Sequence, residues 1–144
     1  MAHEILSVKL CELDEKISRM HSRIHLSEST GRGQLEQEIA ALKRECAETE
    51  LTLRNRLQFS KSGAVSALSQ AYDEIRQIII RTSADLQKRG ADRPDESAPA
   101  EEKILLAEYA LDFAMQASDR ALLLSMEAID SQMAQPEQEE GSLS

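Results

Sequence analysis

Leu6, Leu10, Leu13, Ile17, Met20 and Ile24 follow one another at alternating intervals of four and three residues. On a helix of 3.6 residues per turn, that alternation draws one narrow apolar seam, the width of a single partner helix. Leu35, Ile39, Leu42, Cys46, Thr49 and Leu53 repeat it. Between the two lies "SESTGRGQ" (27–34), whose Gly31 and Gly33 suit a turn and a helix C-cap. Folding the chain back near residue 31 brings the seams level: Ile24 with Ile39, Met20 with Leu42, Ile17 with Cys46, Leu13 with Thr49, Leu10 with Leu53. Two independent patterns agree on one loop position, which predicts an antiparallel helical hairpin.

A third seam, Val65, Leu68, Tyr72, Ile75, Ile79, Thr82 and Leu86, does not continue the phase of the second. The gap from Leu53 to Val65 is 12 residues, where a single stutter would need about 11. The phase therefore changes at "LQFSKSGAV" (57–65). Its one glycine, Gly63, costs only about 1 kcal/mol inside a helix. The expectation is one helix that kinks near Gly63 and changes partner there.

"RGADRPDESAP" (89–99) is a stronger break, with Gly90, Pro94 and Pro99. Ser97 suits an N-cap, Pro99 the first turn, and Glu101 and Glu102 complement the helix dipole. The predicted architecture is all-α: long antiparallel hairpins or a coiled-coil bundle of three helices, at about 2–28, 34–89 and 97–134. Residues 1–134 form a single elongated domain, and 135–144, "QPEQEEGSLS", an acidic disordered tail. A fold-back near residue 93 sets Ile75 against Leu111, Tyr72 against Met115, Leu68 against Ser118 and Val65 against Leu122.

The last helix carries more apolar surface than that partner can cover. Beside Leu111, Met115, Leu122, Met126 and Ile129 it holds a second set: Leu106, Ala110, Phe113, Ala117 and Leu124. Only the stripe through Glu108, Asp112, Gln116, Asp119, Glu127 and Asp130 is polar. A helix so widely apolar is covered on two sides, and the alanines permit close approach. Leu106, Ala110, Phe113, Ala117 and Leu124 are therefore the expected interaction face. A second copy of the chain is the expected cover, giving a homodimer.

Charge is unevenly spread. The chain has 17 basic and 26 acidic residues, net −9, and the region after residue 97 holds 10 of the acids against 2 bases. Such a segment repels phosphate backbones, which argues against nucleic-acid binding. The longest apolar runs, Ile78–Ile80 and Leu122–Leu124, fall far short of the roughly 20 residues of a membrane span. "MAHEILSVKL" lacks the apolar core of a signal peptide, and Cys11 and Cys46 have no CxxC spacing. These features predict a cytoplasmic protein with free thiols.

Side chains suited to chemistry are few. His21 and His25, in "MHSRIH", share a helix face, but zinc needs three or four ligands. The hairpin register offers Ala40, Ala41, Leu42 and Lys43 at their level, with Glu38 in reach of His25 alone. "STGRGQ" has phosphate-loop glycines without the preceding strand or the Lys-Ser/Thr pair, and reads as a turn. Cys46 reads as a small seam filler and Cys11 as its neighbour. Arg54, Arg56 and Lys61 read as a solvated basic face. The carboxylates of the last helix lack a facing Glu-x-x-His motif. No catalytic, cofactor-binding or metal-ligating residues are expected. The sequence points to a non-enzymatic structural or interaction protein, a self-associating scaffold or adaptor whose other protein partners it does not identify. The alternative is a small acidic helical chaperone that lends its apolar face to an exported or assembling client.

Overall fold

The computed structural model describes residues 4–135. Every regular element among them is an α-helix: α1 (Glu4–Ser27), α2 (Arg32–Leu57), α3 (Gly63–Asp92) and α4 (Ala98–Ala134). Apart from Gln135, the expected acidic tail lies outside the described residues. The chain divides into two compact units, one comprising residues up to His25 and from Leu106 onward, the other Leu26–Leu105.

The link from α1 to α2 falls where its glycines predict, but by different chemistry. Gly31 and Gly33 were expected as turn and C-cap residues; no glycine among the described residues has positive φ. The last carbonyls of α1 are met instead by side chains. Ser29 Oγ donates to Leu26 O at 2.9 Å, and Thr30 Oγ1 to Ser27 O at 3.2 Å. Hydroxyls thus satisfy acceptors that helix geometry leaves open. Gly31 is the extended N-cap of α2, with φ −72° and ψ 160°, and its carbonyl accepts from Leu35 N at 3.0 Å.

The helix expected over 34–89 is two helices. Glu50 and Arg76, 26 residues apart in sequence, form an ion pair at 3.4 Å. In a continuous helix they would stand roughly 39 Å apart. The chain reverses at 58–62 for a local reason that the cost of Gly63 does not capture. Ser60 N donates to Leu57 O at 3.0 Å and Phe59 N to Arg56 O at 3.4 Å, the tighter spacing with which an α-helix often ends. Ser60 Oγ then accepts from Ser62 N, and Ser62 Oγ accepts from Val65 N, each at 3.3 Å, so Ser62 caps α3. Arg54 and Arg56 occupy the last turn of α2, where cations favour the negative end of the dipole. The phase change between Leu57 and Val65 is thus a gap between helices rather than a kink within one.

The turn from α3 to α4 holds the best-packed part of the molecule. Leu86, 5% exposed, and Pro99 are the buried residues among those described. Gly90 faces Pro99 closely enough that an added Cβ would lie 3.8 Å from the proline Cβ. Arg89 clasps Glu102 with two bonds, at 3.0 and 3.4 Å, and Lys103 donates to Gln87. The first turns of α4 therefore fold back on the end of α3 through a turn centred on 94–96, slightly later than the expected 93. Ser97 O accepts from Glu101 N at 3.0 Å, the first helical bond of α4, with Pro99 in the first turn as its spacing predicts.

These two turns give substitutions of opposite sign. Ser62→Ala removes the cap of α3 and should cost about 1 kcal/mol. Gly90→Ala keeps an allowed helical φ, gains ordinary contact with Pro99 and should stabilise by up to about 1 kcal/mol. Chemical denaturation of the two variants beside the parent measures both; equal effects in one direction would contradict this account of the turns.

Candidate functional site

The interaction face read from the sequence lies along α4, in the unit that comprises residues up to His25 and from Leu106 onward. A rotation of about 100° per residue puts Leu106, Ala110, Phe113, Ala117 and Leu124 within an arc of about 60° on one side of the helix. Phe113 is 65% exposed and Leu124 63%; Ala110 and Ala117 are also exposed, and Leu106 is half-buried. Tyr109 borders this stripe and is exposed as well. A second apolar stripe, through Leu111, Met115, Leu122 and Met126, lies about 150° away around the helix and is likewise exposed. Between the two run Glu108, Asp112, Asp119 and Asp130.

The seams of the first two helices show the same condition. On α1, Leu10, Leu13, Ile17, Met20 and Ile24 are exposed and Leu6 is half-buried. On α2, Ile39, Leu42 and Leu53 are exposed. Cys46, placed on that seam by its spacing, is exposed too, as is Cys11, and both are free thiols. Neither α1 nor α2 contains a buried residue.

The sequence reading missed a polar cluster where α2 and α3 meet. Thr49, Glu50, Leu53, Arg54 and Leu57 of α2 and Ser66, Ser69, Tyr72, Asp73 and Arg76 of α3 line an open groove of about 730 Å³. Arg76 is its centre. One guanidinium nitrogen reaches Glu50 across the groove; the other donates to Asp73 one turn back on α3. Gln77 Nε2 donates to the second Asp73 oxygen at 3.0 Å. The half of the cluster within α3 was legible, because positions 73, 76 and 77 have the i,i+3 and i,i+4 spacing of helical pairs. The Glu50 contact was not, because it exists only once the helix breaks at 58–62. Both carboxylates turn to Arg76, so the groove presents a closed ion triad that ties α2 to α3. Arg54 lines its edge, while Arg56 and Lys61 are exposed beside it, consistent with a solvated basic face.

His21 and His25 are exposed on α1, and among the described residues no three of His, Cys, Asp or Glu converge as metal ligands. No described helix is long and apolar enough to cross a membrane.

The hydrogen bond from Arg76, with its charge and the Gln77 bond, holds the Asp73 carboxyl below the usual aspartate range, against the opposing effect of desolvation. A lowered pKa in the folded state gives stability that is complete above the unfolded value of about 3.9 and is lost as pH falls through the lowered one. An NMR titration of Asp73 should show a midpoint below about 3.9. Arg76→Ala should return it toward that value and speed amide exchange at 49–57; an unmoved midpoint would show that Arg76 is not the cause.

Compared with known proteins, the chain matches no family model, no curated protein and no solved structure, so its function is argued from these surfaces.

Proposed function

We propose that this is a non-enzymatic, self-associating helical protein, a scaffold or adaptor that uses the Leu106–Leu124 stripe of α4 to bind a second copy of itself. The observation that carries the reading is the exposure of Phe113 and Leu124 on one apolar stripe of α4. A wet side chain of that size forgoes roughly 1.5–3 kcal/mol of burial, and a closed twofold dimer is the commonest way to recover it. The carboxylates of α4 do not oppose this strongly, since they stand on the stripe between the apolar faces, where salt screens them. The reading includes cytoplasmic placement, for which the free thiols of Cys11 and Cys46 are the support.

The antiparallel pairing of α1 with the first half of α2 belongs to the same proposal. Its support is the matched spacing of two seams that each leave their large side chains exposed.

Sedimentation equilibrium of the full chain should give a dimer, and Phe113→Glu should weaken it about tenfold or more by forcing a charge into an apolar contact. Asp119→Asn, on the polar stripe, should leave it unchanged. A monomer at high concentration that binds apolar dyes would overturn self-association in favour of a client-binding chaperone. For the hairpin, Met20→Cys with Leu42→Cys, in a chain lacking Cys11 and Cys46, should crosslink within one chain. Crosslinks found only between chains would replace the hairpin with an intermolecular coil.

A further inference from the structure

The α4 stripe has the four-three spacing of a heptad seam, which reads alike in both directions about one level. Leu106 and Leu124 lie equally far from Met115 along the chain, and so do Phe113 and Ala117. We propose that two copies of α4 pair antiparallel about a twofold axis at the level of Met115, so that Phe113 packs over Ala117 of the partner subunit and Leu106 over Leu124 of the partner subunit. The proposal rests on the self-association just described and specifies its geometry.

Three features favour this arrangement over a parallel one. The first is volume. In a parallel pair Phe113 would meet its own copy and Ala117 its own copy, forcing wide and narrow layers one turn apart. The antiparallel register sets large against small in both layers and keeps the helix separation even, which close packing requires. The second is charge. Arg120 and Tyr109 border the same side of the stripe, about 40° and 60° from its centre. A twofold lying in the interface keeps like sides together, so Arg120 of one copy falls within one residue of the level of Tyr109 of the partner subunit. A guanidinium over that ring gives a cation–π contact, twice by symmetry. In a parallel pair the 11 residues between them would hold the two groups about 16 Å apart. The third is the helix dipole, whose ends are matched when the helices oppose.

The area is adequate. From Leu106 to Leu124 the stripe runs about 27 Å. Phe113, Tyr109 (55% exposed) and Leu124 each still present on the order of 100 Å². With Leu106 and the intervening alanines this gives roughly 600 Å² per copy, or about 1,200 Å² in the pair, the lower bound for a stable interface.

The test uses the full chain with Cys11→Ser and Cys46→Ser, both positions being exposed. Leu106→Cys and Leu124→Cys are made separately on chains of different tag length, mixed, and oxidised with a glutathione buffer. Facing positions come within disulfide reach and residues several turns apart do not. The mixture should give the mixed-length dimer at least about tenfold over either same-length one. A second mixture, Phe113→Cys with Ala117→Cys, should behave alike and guards against a folding defect at Leu106. Sedimentation of the cysteine-free parent separates the two levels of the proposal. If the parent is monomeric, self-association fails and this geometry with it. If the parent is dimeric but Leu106→Cys links to its own copy, the pair is parallel and only the geometry is overturned. A dimeric parent with no crosslink in either mixture overturns it too, because association then uses another face.

Discussion

A helix in water needs an apolar neighbour. The nucleus of each helix is costly, and segments of 24 to 37 residues gain most of their stability from packing an amphipathic face. Here that packing is scarce among the described residues. Leu86 and Pro99 are buried, and Phe113 and Leu124, with the seams of α1 and α2, face water. Everything else about the molecule follows from that deficit. The sequence supplies regular apolar seams, and a seam exists to be covered. The aromatic content of 3% makes the requirement stricter, because aliphatic side chains offer smaller anchors and must be paired over a longer distance to bury the same area.

Where the helices do turn on one another within residues 26–105, polar contacts carry much of the geometry. Arg76 ties Glu50 to Asp73 at one corner, and Arg89 clasps Glu102 at the other. Such pairs are partly exposed, and exposed pairs contribute little net stability. Their contribution is direction: Asp73 orients the Arg76 guanidinium on α3, and Arg76 and Arg89 each reach one carboxylate on the neighbouring helix. Leu86 and Pro99 are the buried side chains at the second corner, where Gly90 faces Pro99. The first corner has no buried residue, and its groove is open.

Helix positions were largely legible because they depend on local rules. The seams placed α1 and α4 within two residues at each end, since periodicity and terminators such as Pro94 and Ser97 act over a few residues. The gap at 58–62 is visible as a phase error, but the modest cost of Gly63 predicts only a kink; the cap of Ser62 and the hydroxyl of Ser60 make it a break. Two serines around one lysine offer the backbone an alternative to the helix that a single-residue propensity does not register. With the helix continuous, Glu50 and Arg76 belong to distant places, and the ion triad cannot be foreseen. The stripe on α4 was legible for the opposite reason: it lies within one helix, so its members share a face whatever the rest of the chain does.

The charge distribution bears on which partner such a stripe selects. Glu108, Asp112, Asp119 and Asp130 crowd one side of α4, between its two apolar stripes. An acidic client would meet that field and be repelled; a basic one would be drawn toward the carboxylates and away from the Phe113 face. A second α4 laid across the Leu106–Leu124 stripe keeps both sets of those carboxylates in solvent, where screening over about 8 Å at physiological salt weakens their repulsion. It also brings Arg120, the one cation on α4 beyond Lys103, to the edge of the contact. In the proposed pair the negative charge acts as selection rather than as a driving force. It leaves attraction to the apolar seam and penalises neighbours whose own carboxylates cannot be turned away from it.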